Sequence, residues 1–245
     1  MSHQLLAFPT DAELAKNAAA NWLAQLRARK NPAANYTVAL SGGRIVKTFF
    51  EELASQSQAN SLTPQTCPAI FSNVHFFWAD ERCVPPSDPE SNFTLAKQLL
   101  FDPLKVPAAQ IHRLRGEGPE PLALKEAADD LLKTAKVANN LPIFDMIFLG
   151  MGEDGHVASL FPGEPEDVIA SAAVYRAVTA VKPPPRRITL GYGVIAAAQE
   201  VWVIASGAGK EGALKESLLP NGKTPLSRVL RQRAQTTILT DITPR

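Results

Sequence analysis

FDMIFLGMGEDGHVASLFPG, residues 144–163, opens with an unbroken apolar run, Phe144–Leu149, and passes directly into a glycine-rich turn carrying Glu153, Asp154 and His156. An apolar run this short, without alternation, reads as a strand buried on both faces. The pattern recurs along the chain. YTVAL (36–40) runs into Ser41-Gly42-Gly43 and a helical segment from about Ile45 to Ser55. VHFFWA (74–79) runs into Asp80-Glu81-Arg82, and VWVIA (201–205) runs into Ser206-Gly207-Ala208-Gly209-Lys210 and a further helix. Buried strands separated by helices predict a Rossmann-like, doubly wound α/β fold: a mainly parallel sheet with helices on both faces. In such sheets ligands bind at the carboxyl edge, where the winding reverses. Each of these strands delivers its most reactive residues to that edge, so the active site is expected there.

The remaining elements fit this frame. Thr10-Asp11-Ala12-Glu13 has capping-box spacing, and Leu14, Ala18, Trp22 and Leu26 recur at i+4, predicting a helix from Asp11 that Asn31-Pro32 ends. A second helix is predicted over Ala123–Ala138, and a last strand at Ile238–Leu239. Val84–Pro89 and Lys182–Pro185 are proline-rich and read as loops, and His3 is expected in a mobile terminus. The chain has 245 residues, a length that single α/β domains commonly reach, so residues 1–245 are read as one domain.

Composition narrows the function classes. Lysine and arginine number 25 against 24 acids, a formal net charge of +1, which gives no field to attract nucleic acid or an anionic membrane. An anionic ligand would be held by a few positioned cations. Cys67 and Cys83 form neither a disulfide framework nor a metal-ligand spacing, which fits a reducing compartment. The N-terminus lacks a basic start followed by an apolar stretch, and no apolar run approaches membrane-spanning length. A cytoplasmic protein is expected.

The candidate chemistry gathers at the strand ends. Ser41-Gly42-Gly43 is either a tight strand-to-helix turn or a nest of backbone N–H groups for an anion. It matches neither a P-loop nor GxGxxG, which argues against a nucleotide. Arg82 and Lys210 are each either solvated ion-pairing side chains or phosphate contacts. No GxSxG elbow marks a serine nucleophile, and histidines at 3, 75, 112 and 156 lack metal-ligand spacing. His75, inside an apolar strand, reads as a satisfied structural histidine. His156, between glycines and beside Asp154, is either a polar turn residue or a general base for water.

Taken together, LSGG (40–43), DERCVPPSDPESNF (80–93), FDMIFLGMGEDGHVASLFPG (144–163), KPPPRRITL (182–190) and GAGKEGAL (207–214) resemble the 6-phosphogluconolactonase family, within the glucosamine-6-phosphate isomerase/deaminase-like superfamily. The segments span most of the chain in the family's order. The resemblance implies hydrolysis of 6-phosphoglucono-1,5-lactone to 6-phosphogluconate in the oxidative pentose phosphate pathway, with no cofactor and no metal. The implied partner is that small sugar-phosphate lactone, with no nucleic acid and no membrane.

By resemblance His156 is the base, Asp154 orients it, and Ser41, Gly42 and Gly43 line the substrate pocket. Arg82 first, then Lys182, Arg187 and Lys210, are the implied phosphate cations; Asp80 holds sugar hydroxyls or Arg82, and Asn92 organises its loop. One position departs from the family pattern: Arg44 stands where many relatives carry serine, and either adds a phosphate contact or points to solvent. The alternatives are a sugar-phosphate isomerase or deaminase of the same superfamily, and a non-catalytic sugar-phosphate-binding regulator. The absence of an acid between His156 and Glu164 favours the lactonase.

Overall fold

The structure is a computed structural model that describes residues 2–59 and 67–242. In chain order the first elements are β1 (Ser2–Ala7), α1 (Asp11–Arg27), β2 (Tyr36–Leu40), α2 (Arg44–Ala59), β3 (Val74–Trp78) and β4 (Asp80–Arg82). A helical stretch follows, α3 (Asn92–Ala96) continuing through a π-helical Lys97–Phe101 into α4 (Asp102–Leu104), and then α5 (Glu120–Thr134). The hairpin β5 (Lys136–Ala138) and β6 (Leu141–Ile143) leads to β7 (Met146–Gly150), the short α6 (Glu166–Ile169), β8 (Tyr175–Thr179) and β9 (Arg186–Leu190). The chain closes with α7 (Tyr192–Ala197), β10 (Glu200–Ala205), α8 (Glu211–Leu218), α9 (Pro225–Gln232) and β11 (Gln235–Thr240).

The main sheet has six strands in the order β1-β11-β10-β7-β2-β3, all parallel. From β2 the chain winds outward to β3; from β7 it winds the opposite way through β10 to β11. The reversal therefore falls between β2 and β7, where Val38 pairs with Met146 and Ala39 with Ile147. Ligands of open α/β sheets bind above such a point. The loops that leave β2 and β7 are Ser41-Gly42-Gly43 and the stretch leading to His156.

Apolar side chains cover the sheet on both faces. On one face Trp22 of α1 and Phe49 of α2 pack against Phe148 of β7 at ring-centroid distances of 5.0 and 4.9 Å. α1 buries the expected stripe, Leu14, Ala18, Trp22 and Leu26, and the Thr10 hydroxyl accepts from the Glu13 N–H as its cap. Side chains alternate along a strand, so Phe77 faces the other way, stacked at 4.2 Å on His112. Among the described residues no helix is long and apolar enough to cross a membrane.

Four readings are corrected or completed by the structure. Asp80-Glu81-Arg82, read from sequence only as the stretch into which the 74–79 strand runs, is itself a strand, β4, paired antiparallel with β9, which pairs with β8 in a second, three-stranded sheet. The predicted 123–138 helix begins earlier, at Glu120 with Pro121 in its first turn, and ends at Thr134. Beyond it Asn139 and Asn140 take φ of 50° and 60°, the double positive φ of a tight hairpin turn, which turns the chain into β5–β6. His3 is not in a mobile terminus but in β1, in register with Thr236 of β11. The fourth is Lys182, expected among the phosphate cations: its side chain is exposed on the loop before β9.

Candidate active site

A cleft opens at the carboxyl edge, above the reversal between β2 and β7. Its floor is set by close backbone approach. A side chain at Gly150 would come within 3.3 Å of the Gly42 carbonyl, and one at Gly42 would run into the Asn92 amide at 2.0 Å. Gly43 takes φ +119° immediately before α2, whose first-turn N–H groups have no intrahelical partner. Buried Ser41 donates its hydroxyl to the Phe148 carbonyl at 2.8 Å, tying β2 to β7. That bond occupies the Ser41 proton in structure, consistent with the absence of a serine nucleophile motif.

His156 and Asp154 meet. The Asp154 Oδ1 lies 2.6 Å from His156 Nδ1 and also accepts the His156 backbone N–H at 3.1 Å. Burial works to raise the Asp154 pKa, but the His156 backbone bond, charge and side-chain bond outweigh it, so the carboxyl is held below its ordinary value. An ionised carboxylate only accepts, so Nδ1 carries a proton, and in the uncharged ring the lone pair is left on Nε2. The ring lies directly over Gly152, where a Cβ would sit 2.1 Å from Cε1 and Nδ1, and its centroid is 4.9 Å from that of Phe161, the two rings tilted by 45°. Gly155, at φ +77°, packs against Thr224, so the glycines of this loop serve ring placement and loop packing.

Cations stand on two walls. Arg44 and Lys210 stand together: Arg44 reaches toward Gly207, and Lys210 ends the turn that precedes α8. Burial, and then the charge of Arg44, lower the Lys210 pKa, with Glu153 and Asp241 opposing. Arg82 and Arg187 are register partners across β4 and β9. Arg82 donates to the Glu90 carbonyl and lies 3.6 Å from its carboxylate. Arg187 is buried, donates to the carbonyls of Pro184 at 3.1 Å and Lys182 at 3.3 Å, and lies over the Phe161 ring. Burial, and then Arg82, lower the Arg187 pKa.

Asp80 is also buried in the wall; its Oδ2 accepts from the Ser159 hydroxyl at 2.6 Å. Asn92 donates to the Asp80 carbonyl at 2.8 Å. Of the residues expected from sequence, Ser41, Gly42, Gly43, Arg44, Asp80, Arg82, His156, Arg187 and Lys210 line the cleft, with Asp154 behind His156. Lys182 does not: its side chain is exposed outside the lining, and only its carbonyl engages the site, through Arg187. Sequence reasoning did not place Ser159 and Phe161 at the site, where they contact Asp80 and His156, although both lie in the run after the histidine. Asn92, read as a loop organiser, also touches the cleft floor at Gly42.

A cation-rich cleft at the switch point of a parallel sheet, with an oriented imidazole and a buried carboxylate in its walls, defines an α/β protein built for a small anionic ligand. The chain belongs to the family of glucosamine-6-phosphate isomerases/6-phosphogluconolactonases, whose model matches residues 9–239. It is 38% identical over 182 residues to the 6-phosphogluconolactonase of Haemophilus influenzae, covering 73% of this chain and 72% of that protein. The crystal structure described as the devB protein superposes with a TM-score of 0.86 at 31% identity, covering 98% of this chain and 96% of the other. The 6-phosphogluconolactonase of Leishmania guyanensis superposes with a TM-score of 0.79 at 25% identity, covering 98% and 97%.

Proposed function

We propose that this chain hydrolyses 6-phospho-D-glucono-1,5-lactone to 6-phospho-D-gluconate, the hydrolytic step of the oxidative pentose phosphate pathway, with His156 as the general base. The observation that carries the mechanism is the His156–Asp154 pair: Nδ1 is held by a carboxylate at 2.6 Å, and the other ring nitrogen is left for a proton from water. The relatives named as 6-phosphogluconolactonases support the substrate.

The chemistry asks little of the protein. A lactone is an activated ester, so a water whose proton passes to Nε2 attacks C1 directly. The tetrahedral adduct then collapses, the C1–O5 bond breaks, and the ring oxygen leaves as a hydroxyl by taking the proton from the imidazolium. The carboxylic acid formed ionises at neutral pH. Asp154 keeps the base in one tautomer and steadies the imidazolium.

The phosphate is bracketed between the Arg44–Lys210 and Arg82–Arg187 walls, over the N–H groups of Gly42, Gly43 and the first turn of α2. Arg44, the departure from the family pattern, takes the phosphate-contact role beside Lys210. Asp80 accepts sugar hydroxyls, held in place by Ser159. Binding energy from the remote phosphate is then available to fix C1 against the water.

The test generates the lactone in situ and compares its disappearance with spontaneous hydrolysis. Acceleration by the protein, lost in His156→Ala, is the expected result. No acceleration by the wild-type chain would overturn the reading.

A further inference from the structure

Glu81 lies between two residues of the cleft wall, yet strand alternation turns it away from them. It is 3% exposed. Its carboxylate has no ion-pair partner among the described residues and is satisfied by hydrogen bonds alone. Oε1 accepts from the N–H groups of Arg82 at 2.7 Å and Asn92 at 2.8 Å. Oε2 accepts from the Ser91 hydroxyl at 3.0 Å and the Phe93 N–H at 2.8 Å. Every acceptor direction is used, and all but one bond reaches the segment that opens α3.

That segment is what the Arg82 wall rests on. The Glu90 carbonyl takes the Arg82 guanidinium. The Asn92 side chain bridges the Asp80 carbonyl and fills the space above Gly42. Capping α3 does not itself require Glu81, because Ser91 already accepts the Thr94 N–H at 3.3 Å. A charge buried without a cation is expensive to keep. The fold nevertheless keeps one where it locks residues 91–93 to β4. Burial pushes the Glu81 pKa up, against the pull of these four bonds.

We propose that Glu81 is a positioning residue for the anion-binding wall: its carboxylate fixes residues 91–93, and through Glu90 and Asn92 it fixes the Arg82 guanidinium and the glycine floor. The proposal rests on the reading of Arg82 as a substrate cation.

Glu81→Gln tests it. The variant keeps the shape but turns an NH₂ toward backbone donors, so the segment shifts. We expect KM for the phospholactone and Kd for 6-phosphogluconate to rise about tenfold, with kcat changed less than about twofold, the pattern of lost uniform binding. The preference for 6-phosphogluconate over gluconate, measured by calorimetry, should fall by a similar factor. Added to Arg82→Ala, the same substitution should weaken binding by clearly less than it does alone, because the route through Arg82 is already lost and only the route through Asn92 and the glycine floor remains.

An equal, additive loss in the Arg82→Ala background, or a fall in kcat at unchanged KM, would overturn the proposal. If Glu81→Gln does not fold, Glu81→Asp keeps the charge, draws it back by one methylene, and should move Kd the same way by a smaller factor; an unchanged Kd would likewise overturn it. Calorimetry with 6-phosphogluconate needs no turnover. A wild-type protein that binds it without accelerating hydrolysis therefore removes the lactonase reading and leaves the Glu81 test intact.

Discussion

Two imidazole–carboxylate pairs of nearly equal length occupy opposite ends of the sheet. At the carboxyl edge His156 Nδ1 is 2.6 Å from Asp154. Beside the amino-terminal half of β3, His112 Nδ1 is 2.7 Å from Asp130 on α5. The contacts match, but the other nitrogens do not. His112 Nε2 is 2.9 Å from His75 Nδ1, and its ring is stacked on Phe77. With Asp130 accepting from Nδ1, His112 Nε2 accepts the His75 proton, and both nitrogens of His112 are used. His156 keeps one nitrogen for the cleft.

The surroundings differ in the same sense. Arg113, next to His112, is paired with Glu117 at 2.6 Å, whereas Arg44, Arg187 and Lys210 in the cleft have no ion-pair partner among the described residues. A histidine–carboxylate contact is therefore not by itself a catalytic signature. What sets the His156 pair apart is a ring nitrogen that faces a cleft in which three cations lack ion-pair partners among the described residues.

The sharpest way to break this comparison is to remove each histidine. His156→Ala should lower kcat by about 10²–10⁴-fold, the usual contribution of a general base, and leave 6-phosphogluconate binding near wild type. His112→Ala should leave turnover near wild type and lower the melting temperature, because it strips a stacked, doubly bonded ring from the α5 face. Initial rates on freshly generated lactone and thermal melts check both. Turnover retained in His156→Ala would dissolve the distinction.

Asp154→Ala is next in size. Without the carboxylate the ring loses both its tautomer and its aim, and misplacement of that order lowers kcat by up to about 10²-fold. Binding should be almost untouched, since Asp154 stands behind the base. A parallel rise in KM would mean that Asp154 touches substrate.

Arg82→Ala tests a cleft cation that has an ion-pair partner, Glu90 at 3.6 Å, beside three that have none among the described residues. Hydrogen bonds to a charged group are worth ~1.5–3 kcal/mol, so the affinity for 6-phosphogluconate should fall roughly 10- to 100-fold. Gluconate, which lacks the phosphate, should be affected much less. Equal losses for both ligands would take Arg82 out of the phosphate site.

The sequence made the central strands legible because they are buried on both faces: YTVAL, VHFFW and VWVIA admit no other short reading. It hid what depends on a distant partner. SHQLLA is a largely exposed edge strand that exists through β11, and the charged DER becomes a strand through β9. Asn139-Asn140 is a readable turn signal just past the predicted 123–138 helix, but the strand before it, Lys136–Ala138, exists only through its pairing with β6. The cleft residues were legible because they lie at strand ends. Lys182 was misplaced for a related reason: it shares a motif with Arg187, but that arginine stands in β9 while Lys182 sits on the loop before it, side chain outward. The contacts of Asp154 and Glu81 are matters of loop closure, and no spacing encodes them.

The smallest effect separates the two histidine sites by pH. Burial lowers the His75 pKa, His112 lowers it further, and Asp130 opposes them. A histidine with a depressed folded pKa binds fewer protons in the fold than in the unfolded chain. Its contribution to stability is present above the ordinary histidine value of about 6.5 and is lost as pH falls from there toward the depressed value. His75 is only half-buried, so solvent screens the effect, and a shift of about 1–2 °C in melting temperature between pH 7 and pH 5 is the expected size. Comparison with His75→Gln isolates it from the carboxylates that titrate lower, because that variant should melt with a flatter profile over this window. Turnover should keep its wild-type pH dependence in His75→Gln, since no bond joins that ring to the cleft. A shifted rate profile in that variant would show that the two ends of the sheet are coupled after all.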